Sequence, residues 1–512
     1  MKTAAKIEFG DFQTPSALAG EVCNLLARLG EHPDYIVEPT AGRGAFLTAA
    51  SLVFSNAVLR GWEINPDYVD EARHALADKA APERVTIECQ DFFTKDWDAQ
   101  LSQLHGALLL LGNPPWVTNA GVSVVNGSNL PAKENLQGLK GMAARTGKAN
   151  FDISEWMLLR LLSAVRERNA SMAMLCKTST ARKFLAHAWK HEKRIASAAL
   201  YRIDAQIHFG AAVDACLLYV KTGDAGPREA DVFDSLSAAK PATRIALVGK
   251  DMVSDNHKYK RLKHLEGVSP FRWRSGIKHD CAAIMELISK SNDTFENGNG
   301  ELFRLENDFL YPLLKCSDLA NDRTTSERVI LVTQKNMGED TAAIAEIAPR
   351  TWEYLQSHKE RFLARKSSIY KDAAPFSIFG IGEYTFAPWK VAISGLHKNM
   401  RFQVVGPLNG KPVCFDDTCY YISFECEADA RLVRAVLNSA ECRQFIDSLV
   451  FADSKRPVTV ELLQRLNIKA IAEEAGFGNR WGNTQWRGYK SFMPQLELSL
   501  GSLAPQMAAG WD

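Results

Sequence analysis

Short apolar runs punctuated by glycine, proline and acidic residues recur through the first part of the chain, and this rhythm predicts strands alternating with helices. Residues 35–40 read as a strand, 41–46 as a glycine turn and 47–54 as a helix. Further strands are expected at 57–63, 84–89, 107–112 and 171–176, with one helix beginning near 151 and another at 180–190. The runs at 107–112 and 171–176 are apolar without alternation, which is the pattern of strands covered on both faces in a parallel sheet. A last pair, 197–202 and 214–220, is expected to run antiparallel across the loop His208-Phe209-Gly210-Ala211.

Sheets of this kind bind ligands at the carboxyl ends of their strands, so the residues there carry the chemistry. After the first strand, Gly42 and Gly44 permit a sharp turn and close approach to a ligand, whereas Leu47 stands where a dinucleotide fingerprint requires its third glycine. The second strand ends in Glu63, a carboxylate able to accept from both ribose hydroxyls, or else to cap the helix that starts near Pro66. The third delivers Asp91 and Phe92 to the same edge; Asp91 can accept from an adenine amino group or simply end the strand. The fourth is followed by Asn113-Pro114-Pro115-Trp116. Two prolines stop that strand and fix the backbone, presenting an amide, a carbonyl and an aromatic ring where an amino group could be received.

The four residues at 113–116 resemble the catalytic motif of amino-methyltransferases, S-adenosylmethionine-dependent enzymes that methylate exocyclic amines of bases, and Asn in first position points to adenine N6. As a set, the strand ends resemble the successive cofactor motifs of class I methyltransferases, and Phe12-Gln13-Thr14-Pro15 resembles the additional cofactor motif that opens some DNA methyltransferases. Cofactor motifs first, catalytic motif next and a long carboxyl-terminal part last resembles the gamma-class arrangement of adenine-N6 DNA methyltransferases from restriction-modification systems, over roughly residues 9–222.

The resemblance implies an α/β fold, a Rossmann-like class I methyltransferase sheet with a C-terminal mixed α/β target-recognition domain. It implies S-adenosyl-L-methionine as cofactor, held by Phe12, Thr14, Pro15, Glu38, Thr40, Gly42, Gly44, Glu63, Asp91 and Phe92. Catalysis falls to Asn113, Pro114, Pro115 and Trp116. The flipped-out target base stacks on Trp116 and on Phe209, the latter otherwise a core plug. Double-stranded DNA is the implied partner, with a cognate restriction endonuclease beside it; no metal is required. The alternatives are N4-cytosine methylation of DNA, adenine methylation of RNA, glutamine N5-methylation of a protein, and a non-catalytic DNA-binding specificity protein.

Composition narrows the setting. A chain of 512 residues exceeds one ordinary core, and 46% hydrophobic with 24% charged residues describes a globular protein rather than a disordered one. The formal charge of +1 does not advertise a polyanion partner, although basic groups gathered on one face escape that count. Ten cysteines lack paired metal-ligand spacing, and no apolar run approaches a membrane span, so a cytoplasmic protein with reduced thiols is expected.

The polar, glycine-rich stretch 118–150 carries Lys133, Lys140, Arg145 and Lys148, which suit phosphate contacts or a solvated surface loop. Residues 1–222 are expected to form the catalytic domain, 223–264 a linker, 265–472 the recognition domain and 473–512 a tail without an assigned role. Basic and aromatic residues interleave at 271–279, 365–371 and 389–401, so Arg274, Lys278, Lys390, Lys398 and Arg401 join Lys148 as DNA-contact candidates.

Overall fold

Each apolar run of the first part becomes a strand in the computed structural model: β1 (Tyr35–Glu38), β2 (Val58–Glu63), β3 (Val85–Cys89), β4 (Leu108–Gly112), β5 (Ala170–Lys177), β6 (Ile195–Ile203) and β7 (Ala215–Thr222). The structure describes residues 12–117, 152–291, 293–397, 400–454, 456–484 and 486, and divides into two units, Met1–Tyr259 and Lys260–Asp512. β4 is buried at every position and β5 at all but its last, as unalternating apolar sequence requires. β3, with Thr86 and Glu88 in its sequence, occupies the edge and is half open.

In the first unit the seven strands lie in the order β6-β7-β5-β4-β1-β2-β3. β3, β2, β1, β4 and β5 pair in parallel, while β7 enters antiparallel between β5 and β6. β1 lies between β2 and β4, so the chain reverses its direction of winding there and a crevice opens at the strands' carboxyl ends. Helix α1 (Ser16–Arg28), not anticipated above, buries Leu18, Val22, Leu25 and Leu26, one stripe at helical spacing. α2 (Ala45–Val53), α3 (Pro66–Leu76), α4 (Trp97–Ser102), α5 (Ile153–Ala164), α6 (Thr178–Lys190) and α7 (Ala205–Phe209) complete the unit among the described residues. None of the described helices is long and apolar enough to cross a membrane.

The expected linker is corrected by three further strands. β8 (Glu229–Phe233), β9 (Thr243–Val248) and β10 (Asp251–Val253) extend the first unit's sheet, and the unit ends at Tyr259. Ala230 and Val232 are buried between half-open Glu229, Asp231 and Phe233, a strand alternation. The glycines that suggested flexibility instead mark close packing: a Cβ on Gly226 would lie 2.0 Å from the Ala196 carbonyl oxygen, and the Gly226 N–H donates to Ile195 O.

The second unit holds two sheets. One contains β14 (Leu302–Arg304), β13 (Thr294–Glu296), β12 (Glu286–Ser289), β16 (Arg328–Leu331), β15 (Leu310–Leu314) and β19 (Cys414–Phe415) in that order; the other contains β11 (Arg274–Ser275), β20 (Cys419–Phe424), β17 (Trp389–Ser394) and β18 (Gln403–Val405). The start of the presumed tail is part of this unit. Helices Ile468–Glu474 and Gly478–Asn483 are formed, and the buried Trp481 ring sits 5.9 Å from Phe271.

Lys390 is corrected as a DNA contact. β17 is flanked by β20 and β18, so Lys390 is 1% exposed and its Nζ donates to Ala387 O at 2.7 Å. Burial lowers its pKa from 10.5 to about 8. The unfolded chain therefore binds more protons than the folded one between those values, and stability rises with pH across that window. Below it the buried ammonium costs on the order of 3 kcal/mol. Lys390→Met is expected to raise the urea midpoint at neutral pH and to abolish the rise between pH 8 and 10.5. Superimposable stability-pH curves for the two proteins would refute this account.

Candidate functional site

Four strand ends and one preceding segment converge on a cleft of about 520 Å³ in the first unit. Its walls include Phe12, Thr14, Glu38, Thr40, Gly42, Glu63, Asp91, Phe92, Asn113 and Pro115, as well as Gln13, Asn65, Tyr68, Gln90 and Met157, which sequence reasoning did not single out. Gln13 and Gln90 flank residues that were named, so proximity to the motifs was the available signal; Met157 faces the cleft from α5, which no motif marks.

The turn from β1 to α2 is built by two left-handed residues, Gly42 at φ +50° and Gly44 at φ +77°. At Gly42 a Cβ would lie 2.6 Å from Gln13 Oε1, which accepts from the Arg43 N–H; at Gly44 it would lie 2.9 Å from Ala72 Cβ on α3. The first glycine thus lets the 12–15 segment lie over the turn, and the second lets α2 start against α3.

Glu63 ties this turn to the next. Its Oε2 accepts from the Gly42 N–H and its Oε1 from the Asn65 N–H, both at 2.8 Å. The helix cap weighed for Glu63 belongs to Asn65, whose side chain accepts from Asp67 N with Pro66 at the first helical position. A carboxylate has about four acceptor positions, so Glu63 retains capacity for hydroxyl donors in the cleft.

At the third strand end Asp91 Oδ1 accepts from the Phe93 N–H at 2.9 Å, closing a local turn. Phe92 is 5% exposed and packs 4.8 Å from Trp97, whose indole N–H in turn donates to Phe92 O. Glu38, at the end of β1, is 2% exposed with no partner for Oε2 among the described residues. Burial, with the Glu63 carboxylate nearby, raises its pKa well above the usual carboxyl range despite a backbone hydrogen bond from Leu47.

Asn113 follows β4. Its Nδ2 donates to Phe12 O at 2.9 Å and to Thr14 Oγ1 at 3.3 Å, while Oδ1 is buried without a partner among the described residues. A backbone carbonyl can only accept, so the Phe12 oxygen dictates which end of the amide faces it. Thr14, expected beside a cofactor, is in contact with the amide of the presumed catalytic residue. Pro15 is extended and leads into α1.

Pro114 and Trp116 are buried and, with Pro15, Gly44 and Phe209, are absent from the cleft's lining. Trp116 is 5% exposed and donates its indole N–H to Leu175 O at 3.4 Å. Its ring lies 5.6 Å from Phe12 and 5.0 Å from half-buried Phe209, an aromatic trio beside the catalytic turn. Thus Phe209 does pack against the core in this structure.

Of the DNA-contact candidates in the second unit, Arg274 is half-buried with its guanidinium 4.3 Å from the Tyr384 ring centre, and Lys278 pairs with Asp280 at 2.9 Å and Asp417 at 3.9 Å. Arg401 is exposed and pairs with Asp322. Lys148 and Lys398 lie outside the described residues, as does the 118–150 stretch.

No family model matches the chain. It is 45% identical over 475 residues to the type II methyltransferase M.NspV of Nostoc sp., a match covering 91% of this chain and 98% of that relative. A shorter match, 31% identical over 108 residues, links 21% of this chain to 20% of the type II methyltransferase M.XamI of Xanthomonas campestris pv. amaranthicola. Among solved structures, the type IIL restriction-modification enzyme MmeI in complex with DNA superimposes with a TM-score of 0.53 at 13% identity, covering 91% of this chain and 66% of MmeI, a likeness of fold.

The glycine geometry sets a paired stability test. Gly44→Ala is expected to destabilise the protein by about 2–4 kcal/mol, combining left-handed strain with overpacking against Ala72. Gly20→Ala, inside α1 with nothing within 4 Å of the added Cβ, is expected to stabilise it by about 0.5–1 kcal/mol. Urea unfolding measures both, and equal effects would show that neither backbone conformation nor space decides the outcome.

Proposed function

The chain belongs to the type II methyltransferases and uses S-adenosyl-L-methionine as methyl donor, and we propose that it methylates N6 of adenine at a specific site in double-stranded DNA. The observation that carries this reading is the buried Asn113 Oδ1, unpartnered among the described residues, beside the cleft, with Nδ2 already committed to Phe12 and Thr14.

An exocyclic amine is a poor nucleophile because its lone pair is delocalised into the ring. Asn113 Oδ1 accepts one amine N–H and the Pro114 carbonyl accepts the other, which favours a pyramidal nitrogen with its lone pair directed at the reacting methyl. Positioned acceptors of this kind act without reorganising during the reaction. A buried acceptor left unpaired costs about 1–3 kcal/mol, so the arriving amine also relieves an existing penalty. When bound, the donor supplies an electrophilic methyl on a sulfonium. Glu63 then takes ribose hydroxyls, Asp91 an adenine amino group, and the Phe92 ring an apolar face. The residues present fit such a molecule: a carboxylate on the cleft wall, apolar walls and a left-handed glycine, Gly42, on the lining.

Duplex DNA hides the amine, so the target base leaves the stack, and stacking against Trp116 and Phe209 after the trio opens offsets a few kcal/mol of unpairing. The second unit reads the sequence, with Arg274, Lys278 and Arg401 among the basic residues that contact DNA. The protein works beside a cognate restriction endonuclease, and Lys148 and Lys398 add phosphate contacts.

Labelled methyl transfer from S-adenosylmethionine to duplex DNA, followed by nucleoside analysis, is expected to yield N6-methyladenine. N4-methylcytosine, or label only in RNA or protein, would replace the proposal with the corresponding alternative. Asn113→Ala is expected to abolish transfer while leaving the calorimetric donor affinity nearly unchanged; parallel loss of both would remove Asn113 from the amine's reach and return it to the cofactor.

Glu63→Ala is expected to weaken donor binding by about 1–3 kcal/mol in the absence of DNA, the range for a hydrogen bond to a charged group. It also removes the acceptor for two backbone N–H groups, so the melting temperature falls with it. A lower melting temperature with unaltered donor affinity would reduce Glu63 to a brace between loops.

A further inference from the structure

In the second unit, helix Glu427–Leu437 passes into helix Ala440–Leu449 through Asn438 and Ser439. Ser439 caps the second helix by accepting from the Cys442 N–H at 3.2 Å. Asn438 spends both ends of its amide on a third segment: Oδ1 accepts from the Phe402 N–H at 3.0 Å and Nδ2 donates to Phe402 O at 2.8 Å. The backbone at Phe402 is therefore pinned to the corner between the helices, and Arg401 is held next to it.

Three arginines from these three segments line one polar hollow of about 620 Å³, Arg401 from the pinned strand entry, Arg434 from the last turn of the first helix and Arg443 from the first turn of the second. Asp447 is the carboxylate on its wall, and Asp322 pairs with Arg401 from outside it. Arg443 is steadied by the corner between the helices, Nη2 donating to Asn438 O at 2.8 Å. Arg434 Nε is buried and has no acceptor among the described residues. A guanidinium offers five donors, and three such groups around one hollow, with Asp447 the carboxylate on its wall, call for an anion with several oxygens. The planar fork of arginine matches phosphate oxygens pairwise, and the positive end of the ten-residue helix Ala440–Leu449 adds to the field.

We propose that this hollow is a phosphate-binding site, and that the phosphate is supplied by the backbone of the DNA duplex. The second clause rests on the DNA reading above; the first does not. Only Arg401 lay in a stretch where basic and aromatic residues interleave. Arg434 and Arg443 sit on amphipathic helices outside those stretches and reach the hollow through the fold. Phosphate contacts of this kind fix the register of a protein on DNA without reading bases.

The test uses the full chain, a fluorescent DNA duplex and inorganic phosphate. Arg401→Gln/Arg443→Gln neutralises two exposed side chains of the hollow, and Arg304→Gln/Arg431→Gln neutralises two exposed arginines elsewhere in the same unit. For the first pair, duplex affinity at moderate salt is expected to fall about tenfold and the slope of log K against log salt to shrink by about 0.9, the signature of one lost phosphate contact. The control pair is expected to keep the wild-type slope. If the slope is unchanged but the hollow variant loses the thermal stabilisation that inorganic phosphate gives the wild type, the site takes free phosphate rather than DNA. If the hollow variant keeps both, or if it and the control change alike, the site does not exist. Wild-type methyl transfer to DNA is measured in the same buffer. Its failure would remove the DNA reading while the phosphate titration still judges the hollow.

Discussion

Everything in the first unit that bears on chemistry depends on β1 and β4 lying side by side and parallel at the middle of one sheet. Their crossovers leave in opposite directions, so a crevice opens at the carboxyl ends of the two strands. The glycine turn after β1 and the proline turn after β4 are consequently neighbours although separated in sequence by most of three strands. Burial on both faces holds that pair rigid: β4 is solvent-free at every position, so neither turn can shift without disturbing the core. Precision at the cleft is thus inherited from apolar packing beneath it rather than from the polar groups themselves.

Above that frame a small number of hydrogen bonds join loops that the sheet merely brings near. Glu63 links the first two strand-end loops through two backbone N–H groups, and Asn113 links the fourth to the segment before α1. Each link uses one functional group for structure and leaves the remainder facing the cleft. The economy has a cost in independence, because cofactor contacts and loop geometry share atoms.

How much was legible in the sequence follows from how local each signal is. β4 and its Asn-Pro-Pro turn, the glycines at 42 and 44, and the carboxylates closing β2 and β3 are written in consecutive residues, and the structure puts Gly42, Glu63, Asp91 and Asn113 around one cleft. The family and its fold follow from those signals and are shared with M.NspV across nearly its whole length. The failures are of the opposite kind. Residues 223–264 read as a linker because the Ala196 carbonyl that crowds Gly226 lies on a strand remote in sequence. Lys390 looked like a surface cation because nothing in its own stretch reveals that β18 and β20 enclose β17. Trp116 likewise reads as a free aromatic face until Phe12 and Phe209 arrive from elsewhere in the chain. α1 is a different case: its stripe of Leu18, Val22, Leu25 and Leu26 is plain, and only attention to the motif just before it hid the helix.

The carbonyl that orients Asn113 belongs to the main chain, and this shapes how the site can vary over evolutionary time. Any residue at position 12 offers the same oxygen, so the ring of Phe12 is free to drift without reversing the amide. Position 113 has no such latitude. Aspartate there would set one acceptor against another, since a carboxylate cannot donate to a carbonyl, and the backbone at 12 would have to retreat. In this fold, exchanging the amide for the acid therefore couples position 113 to the backbone of the segment before α1.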